Sequence, residues 1–229
     1  MSAQPGPFIE VSDLTAQGRG GLVLGPISFT LQAREALAVT GRHGAGKSLL
    51  LACLAGIVSS ASRLAAARLV RPARVAMIFQ RDALDDGRSA LDNVMVGAGD
   101  LARAQAALEQ VGLGAHAQQS PRALSGGMRK RVGIARALAS APSLILADEP
   151  TAGLDPSTAH EVLDALFNAS STAAIIIATT DVDVVLPRAP RSLFLEEGRA
   201  IFCGPTSALA DDHRLRAFAP RDLAETAWL

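Results

Sequence analysis

Gly41-Arg42-His43-Gly44-Ala45-Gly46-Lys47-Ser48 matches the phosphate-loop pattern G-x-x-x-x-G-K-[ST], and its flanks agree with the match. The apolar run 36–40 before it reads as a buried strand, and residues 49–58 after it read as an apolar helix. In that context the glycines let backbone N–H groups curl around phosphate oxygens at a helix N-terminus. Lys47 adds positive charge to the outer phosphates, and Ser48 offers a hydroxyl to Mg²⁺. A glycine-rich turn that holds nothing would account for the glycines but not for the lysine, the hydroxyl and both flanks together. Residues 41–49, from Gly41 through Leu49, are therefore the candidate contacts for a nucleoside triphosphate.

Nearer the N-terminus, Ile27-Ser28-Phe29-Thr30-Leu31 alternates apolar and polar, the period of a strand with one buried face. It predicts an antiparallel β region in that part of the chain. Runs 36–40, 75–79, 144–147 and 175–179 are continuously apolar and short, as in strands of a parallel α/β sheet covered on both faces. The run 144–147 ends in Asp148-Glu149. Paired with a phosphate loop, these adjacent carboxylates suit a Mg²⁺ ligand shell at Asp148 and a water-polarising base at Glu149.

Residues 89–124 are rich in Ala, Gln and Leu and read as a helical insertion. Its clearest helix has Asp100 as N-cap, Leu101, Ala104, Leu108 and Val111 on one face, and a stop at Gly112. A further helix follows Asp155-Pro156, with Ala159, Val162, Leu163 and Leu166 as its buried stripe. Between them stands Leu124-Ser125-Gly126-Gly127-Met128, followed by a basic helix over 129–139.

With a phosphate loop upstream and an apolar strand ending in Asp148-Glu149 downstream, Leu124 to Gly127 resembles the LSGG signature of ABC ATPases. The resemblance covers the chain from about Phe8 to Phe218 and implies the fold: an α/β P-loop NTPase of ABC type. It implies a mainly parallel core sheet, an N-terminal antiparallel β region and a helical insertion. The expected layout is a single domain, 1–229. Its core is 1–88 and 140–205, its insertion with the signature is 89–139, and a helical tail spans 206–229.

The same resemblance implies that Ser125, Gly126 and Gly127 touch the γ-phosphate of ATP held by an opposing chain, so two ATP-binding chains, a homodimer before a heterodimer, make a working unit. Gln80 falls where the family has a metal- and water-contacting glutamine that faces the membrane subunit. Ala152-Gly153-Leu154-Asp155 resembles the loop that crosses the dimer interface. The implied partners are integral membrane permease subunits, and the implied place is the cytoplasmic face of a bacterial cell membrane. Phe79-Gln80, Ala83-Leu84, Asp92-Asn93-Val94, the signature and Arg214 to Phe218 further resemble ATPases of envelope phospholipid-trafficking systems of the Mla/Mce type.

The sequence departs from the family pattern in two places. Thr180 stands where the family carries a switch histidine. A hydroxyl can donate to the γ-phosphate but brings no positive charge, and losing one well-placed donor typically costs about 10²- to 10³-fold in turnover, so slow hydrolysis is expected. No aromatic stands near residues 17–21 to stack on adenine, and Arg19 is the planar cation available there. His43, inside the loop, occupies a position the family varies freely and reads as a bystander.

Composition narrows the alternatives. The chain has 229 residues, 49% of them hydrophobic and 19% charged, which is globular composition and not that of a disordered chain. Its 22 basic and 22 acidic residues cancel, so no global field favours a nucleic-acid backbone. Cys53 and Cys203 lack the spacing of a zinc site or a disulfide framework. The apolar runs fall short of the roughly 20 residues that cross a bilayer, and residues 1–7 do not read as a secretion signal. A membrane role is therefore expected to come through a partner. No N-K-x-D guanine-reading motif accompanies the phosphate loop, which weighs against a GTPase.

Overall fold

The computed structural model describes residues 8–17, 23–58, 63–209, 211–212 and 215. Its strands are β1 (Ile9–Gln17), β2 (Val23–Leu31), β3 (Ala36–Thr40), β4 (Arg63–Ala65), β5 (Arg68–Val70), β6 (Val75–Ile78), β7 (Leu144–Asp148), β8 (Ala174–Ala178), β9 (Arg191–Glu196) and β10 (Arg199–Pro205). Its helices are α1 (Lys47–Ala55), α2 (Ala90–Ala98), α3 (Leu101–Gln110), α4 (Gly126–Ala139), α5 (Pro156–Ala169) and the short α6 (Val182–Val185). The chain divides into two compact units, 1–73 with 174–229, and 74–173.

In the first unit β1 pairs antiparallel with β2, and Ile27, Phe29 and Leu31 are buried while Ser28 and Thr30 are exposed, as the alternation predicts. The short β4 and β5 also pair antiparallel with β1. Thr15 faces Ala65 and Ser12 faces Arg68, so the two strands keep one register past an interruption beside Asp13, whose φ is 51°. A second, separate sheet of this unit runs β10-β9-β3-β8. β3 is parallel to both β8 and β9, and every residue of β3 and β8 is buried, which is why those runs are apolar without alternation.

In the second unit β6 and β7 are parallel, and helices α2 to α5 complete it. Each of these helices begins at a side-chain cap: Ser89 in a capping box with Asp92, Asp100 accepting from Arg103 N, Ser125 from Met128 N, and Asp155 from Thr158 N. Among the described residues no helix is long and apolar enough to cross a membrane.

Several boundaries differ from the sequence reading. Helix α1 starts at Lys47 and stops at Ala55, where Gly56 at φ 74° takes the left-handed cap that ends it. Leu101 is 53% exposed, and the buried face of α3 is Ala104, Ala107 and Leu108; as the first residue after the cap, Leu101 precedes the turn that packs. Phe79 lies beyond β6 and is 42% exposed. The basic helix begins at Gly126, three residues earlier than read, because the Ser125 cap makes both signature glycines its first turn. Of the expected tail, Thr206–Leu209 form a 3₁₀ turn. Residues 213–214 and 216–229, with most of the Arg214 to Phe218 stretch, lie outside the described residues, as does Arg19.

Candidate functional site

In the first unit the phosphate-loop residues join β3 to α1. Gly41, Gly44 and Gly46 take φ values of 137°, 79° and 102°, a left-handed region that side-chain-bearing residues rarely adopt. Arg42, His43 and Gly44 are exposed, while Ala45, Gly46 and Lys47 are buried. Lys47 is 7% exposed, and its ammonium lies back across the loop and donates to the Gly41 carbonyl at 2.9 Å and the Arg42 carbonyl at 3.3 Å. Helix α1 has no acidic residue in its first turn and, unlike the four helices of the second unit, no side-chain cap. Its first amides and the positive end of its dipole therefore suit an anion.

The β9–β10 hairpin fixes the loop from one side. Gly198 N donates to the Ala45 carbonyl at 3.1 Å, and Gly25 N donates to the Gly198 carbonyl at 2.7 Å. A Cβ on Gly41 would come within 2.1 Å of the Leu195 carbonyl oxygen, so glycine is required there by packing as well as by φ. Thr180 follows β8, the parallel neighbour of β3, and so emerges at the same sheet edge as the phosphate loop. Thr180 is exposed, and the neighbouring Thr179 hydroxyl accepts from Asp181 N at 2.8 Å.

In the second unit Gln80 follows β6, Asp148 ends its parallel neighbour β7 and Glu149 comes next, which brings them to one edge. Asp148 and Glu149 are 8% and 6% exposed. Glu149 holds φ at 44°, a conformation that costs a non-glycine residue roughly 1–2 kcal/mol and marks a position held by its surroundings. Ser125 and Gly126 are exposed. Gly127 is buried, and a Cβ on it would meet Thr158 Cγ2 at 2.3 Å, so the start of α5 dictates this glycine. Asp155 accepts from both the Thr158 amide at 3.1 Å and its hydroxyl at 2.6 Å. Those bonds hold its carboxyl below the ordinary aspartate range.

The sequence reading missed a charged cluster beside Gln80. Arg129 forks onto Asp82, with Nε to Oδ2 at 2.7 Å and NH2 to Oδ1 at 3.1 Å, and its NH1 donates to Asp86 Oδ1 at 2.8 Å. Lys130 Nζ donates to the Gln80 carbonyl, and Arg136 donates to the carbonyls of Asp82 and Ala83, both at 2.8 Å. The hydrogen bond from Arg129 lowers the Asp82 pKa, while burial lowers those of Lys130 and Arg136. The run Arg129-Lys130-Arg131 was a visible signal, but its partners could not be read without the loop.

Comparison with known proteins places this geometry. The family model described as ABC transporter matches residues 24–152, from β2 past Glu149. The phosphonates import ATP-binding protein PhnC 1 of Natronomonas pharaonis is 38% identical over 222 residues, covering 88% of this chain and 95% of that protein. The methionine import ATP-binding protein MetN of Caulobacter vibrioides is 37% identical over 217 residues, covering 85% of this chain but only 65% of its own length. Among solved structures, cbiO1 from Clostridium perfringens, part of the ABC transporter complex cbiONQ, superposes with a TM-score of 0.78 at 26% identity over 97% of this chain and 100% of that one. These matches show that the chain belongs to the ABC transporter family as an ATP-binding subunit.

Proposed function

We propose that the chain, 1–229, is one ABC ATPase domain with residues 89–139 as its helical insertion, and that it couples ATP-driven closure of two such chains to transport by integral membrane partners. The observation that carries this reading is the uncapped, acid-free start of α1 behind a loop of left-handed glycines, set against four helices that all carry side-chain caps. Residues 41–49 would hold the phosphates of ATP, with Lys47 neutralising the outer ones. Ser125, Gly126 and Gly127 would complete the site of the opposing chain. A homodimer is the simpler assembly, since one chain carries both halves.

Ser48, Gln80 and Asp148 offer a hydroxyl, an amide and a carboxylate, the oxygen donors a hard cation takes, and we assign them to Mg²⁺. When bound, Mg²⁺ would neutralise charge on the transferring phosphoryl group. Glu149 would orient and deprotonate the attacking water, and its strained backbone is consistent with a carboxylate held in place for that task. Thr180 would donate one hydrogen bond toward the γ-phosphate without a charge.

The import proteins among the relatives support inward transport, driven by this chain at the cytoplasmic face of a membrane. Their names concern phosphonates and methionine, whereas the short stretches around Gln80 and the signature resemble phospholipid-trafficking ATPases. Binding assays on the assembled transporter with these three classes would decide the cargo.

The test is steady-state MgATP hydrolysis by the purified chain beside Glu149→Gln and Thr180→His, with dimerisation followed in the same samples. Slow turnover that disappears in Glu149→Gln and rises in Thr180→His is the expected result. ATP binding without turnover in all three proteins would overturn the motor reading. It would favour a regulatory ATP-binding subunit paired with an active chain, the alternative that Thr180 motivates.

A further inference from the structure

The charged cluster between the loop after β6 and helix α4 reaches further than the reaction needs. Residues 80–86 form an irregular segment in which Ala83 has a φ of 48°, yet side chains of neighbouring elements hold it at nearly every step. Arg129 takes the carboxylates of Asp82 and Asp86, Arg136 takes two backbone carbonyls, and Lys130 takes that of Gln80. From the other side, Asn93 of α2 accepts from Asp85 N at 2.7 Å and donates to the Asp85 carbonyl at 3.0 Å. The Arg129 and Asp82 side chains are only 24% and 20% exposed, so the fork is partly shielded from solvent.

What matters is where Arg129 sits. Its amide donates to the Ser125 carbonyl at 2.9 Å, closing the first turn of α4, and that turn is the signature Ser125-Gly126-Gly127. The guanidinium thus grips the loop that begins at Gln80 while its own backbone closes the turn that would face an opposing nucleotide. A planar fork with two carboxylate partners fixes orientation as well as distance.

We propose that Arg129, clamped between Asp82 and Asp86, is a positioning residue that ties the placement of the signature turn to that of the loop after Gln80 in the same chain. This rests on the dimer reading above for its consequence, but not for the clamp itself. A change in the loop then reaches the signature without passing through the chain's own phosphate loop, and Asp82 acts from outside α4.

The experiment uses the full chain carrying Glu149→Gln as parent, with Asp82→Asn, Arg129→Met and Arg129→Lys added singly and Asp82→Asn with Arg129→Met as a pair. Hydrogen exchange at the Met128 and Arg129 amides, without nucleotide, reads the signature turn directly. Sedimentation with MgATP reads the dimer, and ATP titration of the dilute single chain reads the phosphate loop alone. Faster exchange at both amides in Asp82→Asn and Arg129→Met is expected, together with a dimer Kd raised about tenfold, ATP affinity of the single chain within about twofold, and no added effect in the pair. Arg129→Lys should recover part of the loss. Unchanged exchange in both single variants overturns the proposal, as does a loss of single-chain ATP affinity equal to the loss of dimerisation. Should Arg129→Met not fold, Asp82→Asn and Arg129→Lys carry the same readouts. A parent that binds ATP without dimerising would sink the dimer reading, while the exchange data would still judge the clamp.

Discussion

Helices α1 and α4 both follow a small residue, yet their first turns are finished in opposite ways. Gly46 precedes α1 with φ at 102° and no side-chain cap, whereas Ser125 precedes α4 with φ at −64° and ψ at 163° and accepts from Met128 N at 3.3 Å. The first start carries no side-chain cap, and the positive end of its dipole suits an external anion. The second is satisfied by its own chain, and its hydroxyl hydrogen is still able to donate outward, because a serine oxygen accepts and donates at once. Glycine content alone therefore does not distinguish a ligand cradle from a closed turn; the cap does.

Lys47→Ala tests this contrast most severely. Removing the buried ammonium from the uncapped start should weaken MgATP binding about 100-fold or more, the scale of losing one partner from a buried charge pair, as titration calorimetry would read. Normal binding in that variant would remove the loop from the site. On the capped side, Gly127→Ala puts a methyl 2.3 Å from Thr158 Cγ2 and should cost about 1–3 kcal/mol in urea unfolding. Gly126→Ala, whose methyl would lie 3.4 Å from Leu154 Cδ2, should stay within about 0.5 kcal/mol of the unmodified chain.

Ser125 separates cap from contact. Ser125→Ala should cost about 1 kcal/mol of stability, while Ser125→Asp should keep the cap yet lose ATP-driven dimerisation, since an ionised carboxylate accepts but cannot donate. A Ser125→Asp chain that dimerised normally would leave serine with a capping role alone.

The smallest effect concerns pH. Asp82 titrates below its ordinary value in the folded chain, so its contribution is full above the unfolded aspartate range near pH 4 and fades as pH falls through the lowered value. The melting temperatures of the wild-type chain and Asp82→Asn should therefore converge as pH drops from 7 to 3. A constant gap would show that Asp82 acts without its charge.

Much of this was legible beforehand because local rules and burial pointed the same way. The apolar runs of β3, β7 and β8 are buried throughout, and the Asp155-Pro156 start of α5 with its stripe at Ala159, Val162, Leu163 and Leu166 is found as read. What escaped depended on tertiary partners. Leu101 has the right spacing for a buried face but stands directly after the cap, ahead of the buried Ala104, Ala107 and Leu108, and stays 53% exposed. Strands β4 and β5 are three residues each, too short to show a period, and they exist because β1 offers an edge. The partners of Arg129 lie more than forty residues earlier in the chain, beyond any local pattern.

The grip of Gly198 on Ala45 also sets a clock for synthesis. The chain emerges from the ribosome N-terminus first, so the residues that brace the phosphate loop arrive roughly 150 positions after it, on the order of ten seconds later at ordinary elongation rates. Until then the nascent segment lacks both the carbonyl at Leu195 that crowds Gly41 and the amide that tethers Ala45. A chain stopped short of the β9–β10 hairpin would carry every residue of the phosphate motif and still lack the brace that shapes it.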